Sequence, residues 1–101
     1  MAVLYFKSRW IDPILDGVKT QTLRRRIPGT LWCDDTFDAG CSWLDPPFAR
    51  LEVVSIDHVH VDDLTRADAR RGATMLGTLI DGIEQTYPDV ASLVRIRFRL
   101  A

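Results

Sequence analysis

From residue 94 to residue 100 the chain alternates, with Val94, Ile96, Phe98 and Leu100 interleaved with Arg95, Arg97 and Arg99. Successive side chains of a strand leave opposite faces, so this period of two describes a half-buried strand carrying an arginine stripe on its other face. The stripe has two readings. It holds phosphates, through contacts that supply affinity without reading base sequence, or it is a solvated edge protected from aggregation by its charge.

Working back from that strand, the other elements follow from local pattern. Residues 3–7 are rich in β-branched and aromatic side chains and predict a first strand. Asp12-Pro13 offers an N-cap and a first helical position, and Gly17 ends the short helix they begin. Residues 20–24 predict a second strand, broken by a turn at Pro28-Gly29. Residues 31–47, with Gly40 and Pro46-Pro47, have no sustained period and predict short strands between loops.

Residues 48–61 form the longest strand candidate. Its apolar side chains change parity, with Leu51, Val53 and Val59 against Val54 and Ile56, which calls for a bulge near Val53-Val54. Asp63 or Thr65 caps a helix reaching Arg71, and Gly72 interrupts it. Met75, Leu76, Leu79, Ile80 and Ile83 then repeat at helical spacing up to Tyr87-Pro88. Strands and helices without regular βαβ alternation argue for an α+β fold, a mostly antiparallel sheet or small barrel. At 101 residues it is one domain spanning 1–101, large enough for a single core.

Charge is distributed unevenly along a nearly neutral chain. Lys7, Arg9, Lys19 and Arg24-Arg25-Arg26 precede an acidic middle that runs from Asp34 to Asp68. The apolar runs are too short to cross a bilayer, and the N-terminus lacks the basic flank and cleavage site of a signal peptide, so a cytoplasmic location and no membrane partner are expected. Cys33 and Cys41 are then expected as free thiols.

The segment from Ile14 to Arg24 reads Ile-Leu-Asp-Gly-Val-Lys-Thr-Gln-Thr-Leu-Arg. It resembles the signature of the ASCH family: an aliphatic pair, a spacer and Gly, then Lys-Thr, a spacer, Thr, a spacer and Arg. Phe6-Lys7-Ser8-Arg9-Trp10 upstream, Pro47-Phe48-Ala49-Arg50-Leu51, the Asp63-Leu64-Thr65 turn and the closing Arg95-Ile96-Arg97-Phe98 extend the resemblance over nearly the whole chain. It implies a small PUA-like β-barrel with flanking short helices and a cleft that receives the motif. It also implies a link to RNA or modified nucleosides, though a fold alone does not fix function.

On a strand, Thr22 and Arg24 share one face, and Thr20 points likewise. With Lys19 they suit an anionic or carbonyl-bearing ligand, since Arg24 offers a planar fork, Lys19 a point charge and Thr22 a hydroxyl. Small bacterial members of the family include amidohydrolases that remove the acetyl group of N4-acetylcytidine with a lysine, a threonine and a glutamate. The resemblance implies Lys19 as the base and Thr22 as the nucleophile. The stretch from Thr65 to Thr74, where the family keeps its acid, contains no glutamate, and Asp68 is the nearest carboxylate.

Other signals are weighed against plainer readings. His58 and His60 share a strand face, but close Cys or His pairs are absent, so no metal and no cofactor is expected. Trp10, Trp32 and Trp43 could stack a base. The plainer expectation is that the core absorbs all three, with Trp10, beside Arg9 and the motif, the best ligand candidate. The leading expectation is an RNA- or modified-nucleoside-binding domain whose cleft is lined by Arg9, Trp10, Lys19, Thr20, Thr22 and Arg24, with Arg95, Arg97 and Arg99 helping to hold phosphate. The alternatives are an N4-acetylcytidine-type amidohydrolase using Lys19, Thr22 and Asp68, and a domain that serves only protein partners. The oligomeric state is left open.

Overall fold

The computed structural model describes residues 2–27, 29 and 31–101. The strands are β1 (Val3–Tyr5), β2 (Gln21–Arg24), β3 (Thr36–Gly40), β4 (Ala49–His60) and β5 (Ser92–Leu100), and the helices are α1 (Ile11–Leu15), α2 (Arg66–Arg71) and α3 (Leu76–Thr86). The strands lie in one sheet in the order β1-β3-β4-β5-β2, with β1 parallel to β3 and the other neighbours antiparallel. The fold is therefore α+β, but the expected barrel is corrected to an open sheet. The edge strands β1 and β2 are bridged by a side chain, the Arg24 Nη2 donating to the Tyr5 carbonyl at 2.8 Å, in place of a backbone ladder.

The expected strand at the C-terminus begins two residues before its alternating stretch. Val94, Ile96 and Phe98 enter the main core with Phe37, Leu51 and Val53, whereas Leu93 on the other face joins Val59, Leu64 and Ile83 beneath α3. Thus β5 is covered on both faces at its start. The bulge in β4 explains the change of parity along that strand. Val53 faces Phe98 and Ser55 faces Arg97, so Val54 is the extra residue. Leu51 and Val53 face the main core before it, and Val59 faces the second core after it.

Local signals were displaced at several places. A 3₁₀ turn at Ser8–Trp10 leads directly into α1, so Trp10 takes the N-cap position expected of Asp12. Pro13 still falls in the first turn, where its missing N–H costs no hydrogen bond. The segment expected to hold several short strands holds only β3 among its described residues. Of the expected turn at Pro28-Gly29, Pro28 lies outside the described residues, and Gly29 has a φ of +59°. Trp32 and Trp43 are corrected from core to surface, at 71% and 80% exposure, because both sit in loops while the core is filled by aliphatic side chains and three phenylalanines.

Thr65 caps α2 in a reciprocal box, its hydroxyl accepting from the Asp68 amide while the Asp68 carboxylate accepts from the Thr65 amide. Both cysteines are free thiols. Among the described residues no helix is long and apolar enough to cross a membrane.

Candidate functional site

The motif leaves α1 through Gly17, whose φ of +75° lies in the left-handed region that side chains disfavour. The amides of Val18 and Lys19 both return to the Pro13 carbonyl at 2.9 Å, a tight turn that lays the chain against the end of α2. There the Thr20 amide donates to the Arg71 carbonyl at 2.7 Å and the Lys19 Nζ to the Gly72 carbonyl at 3.2 Å. A helix leaves such carbonyls without intrahelical partners, so the motif and α2 satisfy each other.

Beyond this junction β2 pairs with β5, setting Thr22 opposite Ile96 and Arg24 opposite Val94, on the face of the main core. Arg24 Nε donates to Thr22 Oγ1 at 3.1 Å, and its guanidinium carbon lies 4.9 Å from the centre of the Phe6 ring. Lys19 Nζ lies 4.4 Å from the centre of the Trp10 ring, with the Arg9 guanidinium carbon 4.9 Å from the same ring.

These groups line a cleft of about 460 Å³ between β1, β2 and α3, within the usual size range of small-molecule sites. Arg9, Trp10, Lys19, Thr22 and Arg24 all line it, whereas Thr20, Asp68 and the arginines of β5 do not. Among its described lining residues there is no carboxylate. Burial lowers the pKa of Lys19 to about 8, and the positive charges of Arg24 and Arg9 push in the same direction. Burial also lowers the pKa of Arg24, opposed by Tyr87. Lys19 is therefore able to exchange a proton near neutral pH.

Asp68 lies on the other side of the sheet. It accepts from Gln21 Nε2 at 3.1 Å, Arg71 Nη2 at 3.2 Å and Arg95 Nη1 at 2.9 Å besides its capping contacts. Burial by itself would raise its pKa, but the hydrogen bonds from Thr65, Gln21 and Arg95 outweigh that and hold the carboxyl well below the usual carboxylate range. A carboxyl that stays ionised has no proton to give. The structure thus places Asp68 as a brace joining β2, α2 and β5, outside the residues that line the cleft.

The arginine stripe is engaged by acids and amides of neighbouring elements. Arg95 binds Asp57 through both forks as well as Asp68, Arg97 contacts the Gln21 amide at 3.4 Å, and Arg99 pairs with Glu52 at 2.8 Å. His60 is occupied locally, its Nδ1 accepting from the Asp62 amide at 3.1 Å. Among the described residues no three His, Cys, Asp or Glu side chains come together as metal ligands.

One wall of the cleft was not anticipated from the sequence. Thr78, Gly82 and Thr86 recur every fourth residue along α3, with Thr74 ahead of the helix and Tyr87 behind it. That run of small and hydroxyl-bearing residues, on one helical face beside the apolar stripe, is the pattern in the sequence that marks this wall. Tyr5, Phe6 and Lys7 complete the opposite wall because β1 is an edge strand that ends there.

No protein-family model matches the chain. A protein of Shewanella baltica named N(4)-acetylcytidine amidohydrolase is 30% identical, over 99% of this chain and 95% of the relative. One of the same name from Serratia proteamaculans is 31% identical over 92% and 91% of the two chains. Among solved structures, an ASCH domain from Lactobacillus crispatus superposes with a TM-score of 0.82 over 98% of this chain and 78% of its own, at 13% identity, which is a likeness of fold.

Proposed function

The chain belongs to the ASCH family, and from that premise we propose that its cleft binds a modified nucleoside of the N4-acetylcytidine type. The observation that carries this reading is the joining, in one pocket, of the buried Lys19 amine, the Thr22 hydroxyl and the Arg24 guanidinium against the rings of Phe6 and Trp10. The aromatic and aliphatic walls suit a base, and the polar cluster suits an acyl carbonyl. A long RNA track along β5 is less well supported, since Arg95 and Arg99 already face carboxylates.

A second reading, hydrolysis of the acetyl amide, is favoured by the lowered pKa of Lys19 and by the names of the relatives. In this reading the neutral Lys19 amine takes the Thr22 proton as Oγ attacks the acetyl carbonyl carbon. The carbon–N4 bond then breaks, the departing amine takes the proton back from Lys19, and the acetyl group stays on Thr22. Water attacks that ester, Lys19 again passing the proton, and releases acetate. A lysine titrating near pH 8 serves as base and acid in turn, so no cleft carboxylic acid is required.

The test is to titrate N4-acetylcytidine into the protein by calorimetry and to follow cytidine release in parallel, with Lys19→Ala and Thr22→Val as controls. Binding with Lys19-dependent release is expected. Binding without release would remove the hydrolytic reading, and neither heat nor release would remove both.

A further inference from the structure

The cations of the cleft differ from most of those on the rest of the sheet. Arg50, Arg95 and Arg99 of the sheet each face a carboxylate, as does Arg71 of α2. Lys7, Arg9, Lys19 and Arg24 line the cleft, and among the described residues none of them is in an ion pair. Two of the four, Lys19 and Arg24, are buried or half-buried at the reacting end. The other two, Lys7 and Arg9, are exposed. Arg9 is held against the Trp10 ring, so part of the entropy of fixing its long side chain is already spent.

We propose that the exposed pair, Lys7 and Arg9, receives a phosphate, so that the preferred ligand is a nucleotide with a terminal phosphate group, its base directed toward Lys19 and Thr22. This rests on the nucleoside reading above and adds to it a phosphate monoester at the mouth. A planar guanidinium and an ammonium lining the same cleft, neither in an ion pair among the described residues, match a phosphate's charge and offer its oxygens N–H donors. Because both side chains are exposed, pairing them involves little desolvation. The phosphate brings negative charge to a site whose positive charges depress Lys19, so binding should draw protons onto that amine at pH about 8.

The experiment compares N4-acetylcytidine with its 5′-monophosphate by calorimetry, on the wild type and on the double variant Lys7→Gln/Arg9→Gln, with inorganic phosphate and a 5′-phosphorylated oligoribonucleotide as further probes. Charge-assisted hydrogen bonds of this kind predict about tenfold or more tighter binding of the monophosphate. That gap should close in the double variant and at high salt. Proton uptake should appear as a dependence of the heat on buffer at pH about 8. Equal affinity for nucleoside and monophosphate overturns the phosphate site and leaves the nucleoside reading standing. A gap that survives in the double variant overturns its assignment to Lys7 and Arg9. Inorganic phosphate binding as tightly as the monophosphate, with the nucleoside silent, overturns the nucleotide and the nucleoside reading together. An oligoribonucleotide that binds as well as the monophosphate identifies a strand end as the source of the phosphate, and one that fails identifies the free nucleotide; either supports the site.

Discussion

Lys19 owes its chemistry to what surrounds its amine: a buried position, a ring on one side, a helix-end carbonyl as its acceptor and two neighbouring guanidinium groups. If it is the proton carrier, the deacetylation kcat/KM rises with pH through about 8, because the neutral amine is the active form and burial lowers its pKa to that value. A rate profile flat between pH 6.5 and 9.5 would exclude it from the chemistry. The Gly72 carbonyl is its partner, and the position has an ordinary φ of −82° with room for a Cβ at 3.4 Å or more from its neighbours. Gly72→Glu therefore fits there and adds a carboxylate on the residue whose carbonyl accepts from the ammonium. We expect it to move the Lys19 pKa upward from about 8, read as an upward shift of the same rate profile.

At the scale of elements, α2 is held from both ends. At its start Asp68 ties the helix to β2 and β5, and Asp68→Asn leaves Arg95 and Arg71 without one buried partner, an expected loss of about 3 kcal/mol measured by urea unfolding. The folded-state pKa of Asp68 lies below its unfolded value of 3.8, so this stability is present above that pH and is lost as the pH falls below it. The wild type should lose stability faster than the variant on acidification. At its end the helix turns through Ala73, whose φ of +60° places a Cβ in the left-handed region, one position past Gly72. Ala73→Gly relieves that strain and is expected to stabilise by about 1 kcal/mol, raising Tm by about 5 °C.

For the whole molecule, the decisive contact is the one that joins the two edges of the sheet. Arg24 reaches from β2 to the Tyr5 carbonyl of β1 while donating to Thr22, so one side chain holds together the walls of the cleft and orients a residue inside it. Arg24→Met keeps the bulk and removes both hydrogen bonds. It should lower stability by about 2 kcal/mol, lower Tm by about 10 °C and weaken N4-acetylcytidine binding, seen by thermal unfolding and calorimetry. Unchanged stability with lost binding would make Arg24 a ligand contact alone.

Much of this fold could be read from local pattern, because pattern reports which face of an element is apolar. The alternation of β5, the bulge in β4, the Thr65 cap and the Lys19–Thr22–Arg24 cluster all follow from spacing or from a motif that keeps those residues close along the chain. Tertiary structure decided what the pattern could not carry. It set Asp57, Asp68 and Glu52 against the arginines of β5, moved Asp68 to the far side of the sheet from Thr22, and turned the threonines of α3 into a wall of the cleft. Each depends on residues tens of positions apart, brought together by the pairing of β4 and β5 and by the packing of α2 and α3. Charge complementarity across such distances leaves no period in the sequence, so it becomes visible only once the strands are in register.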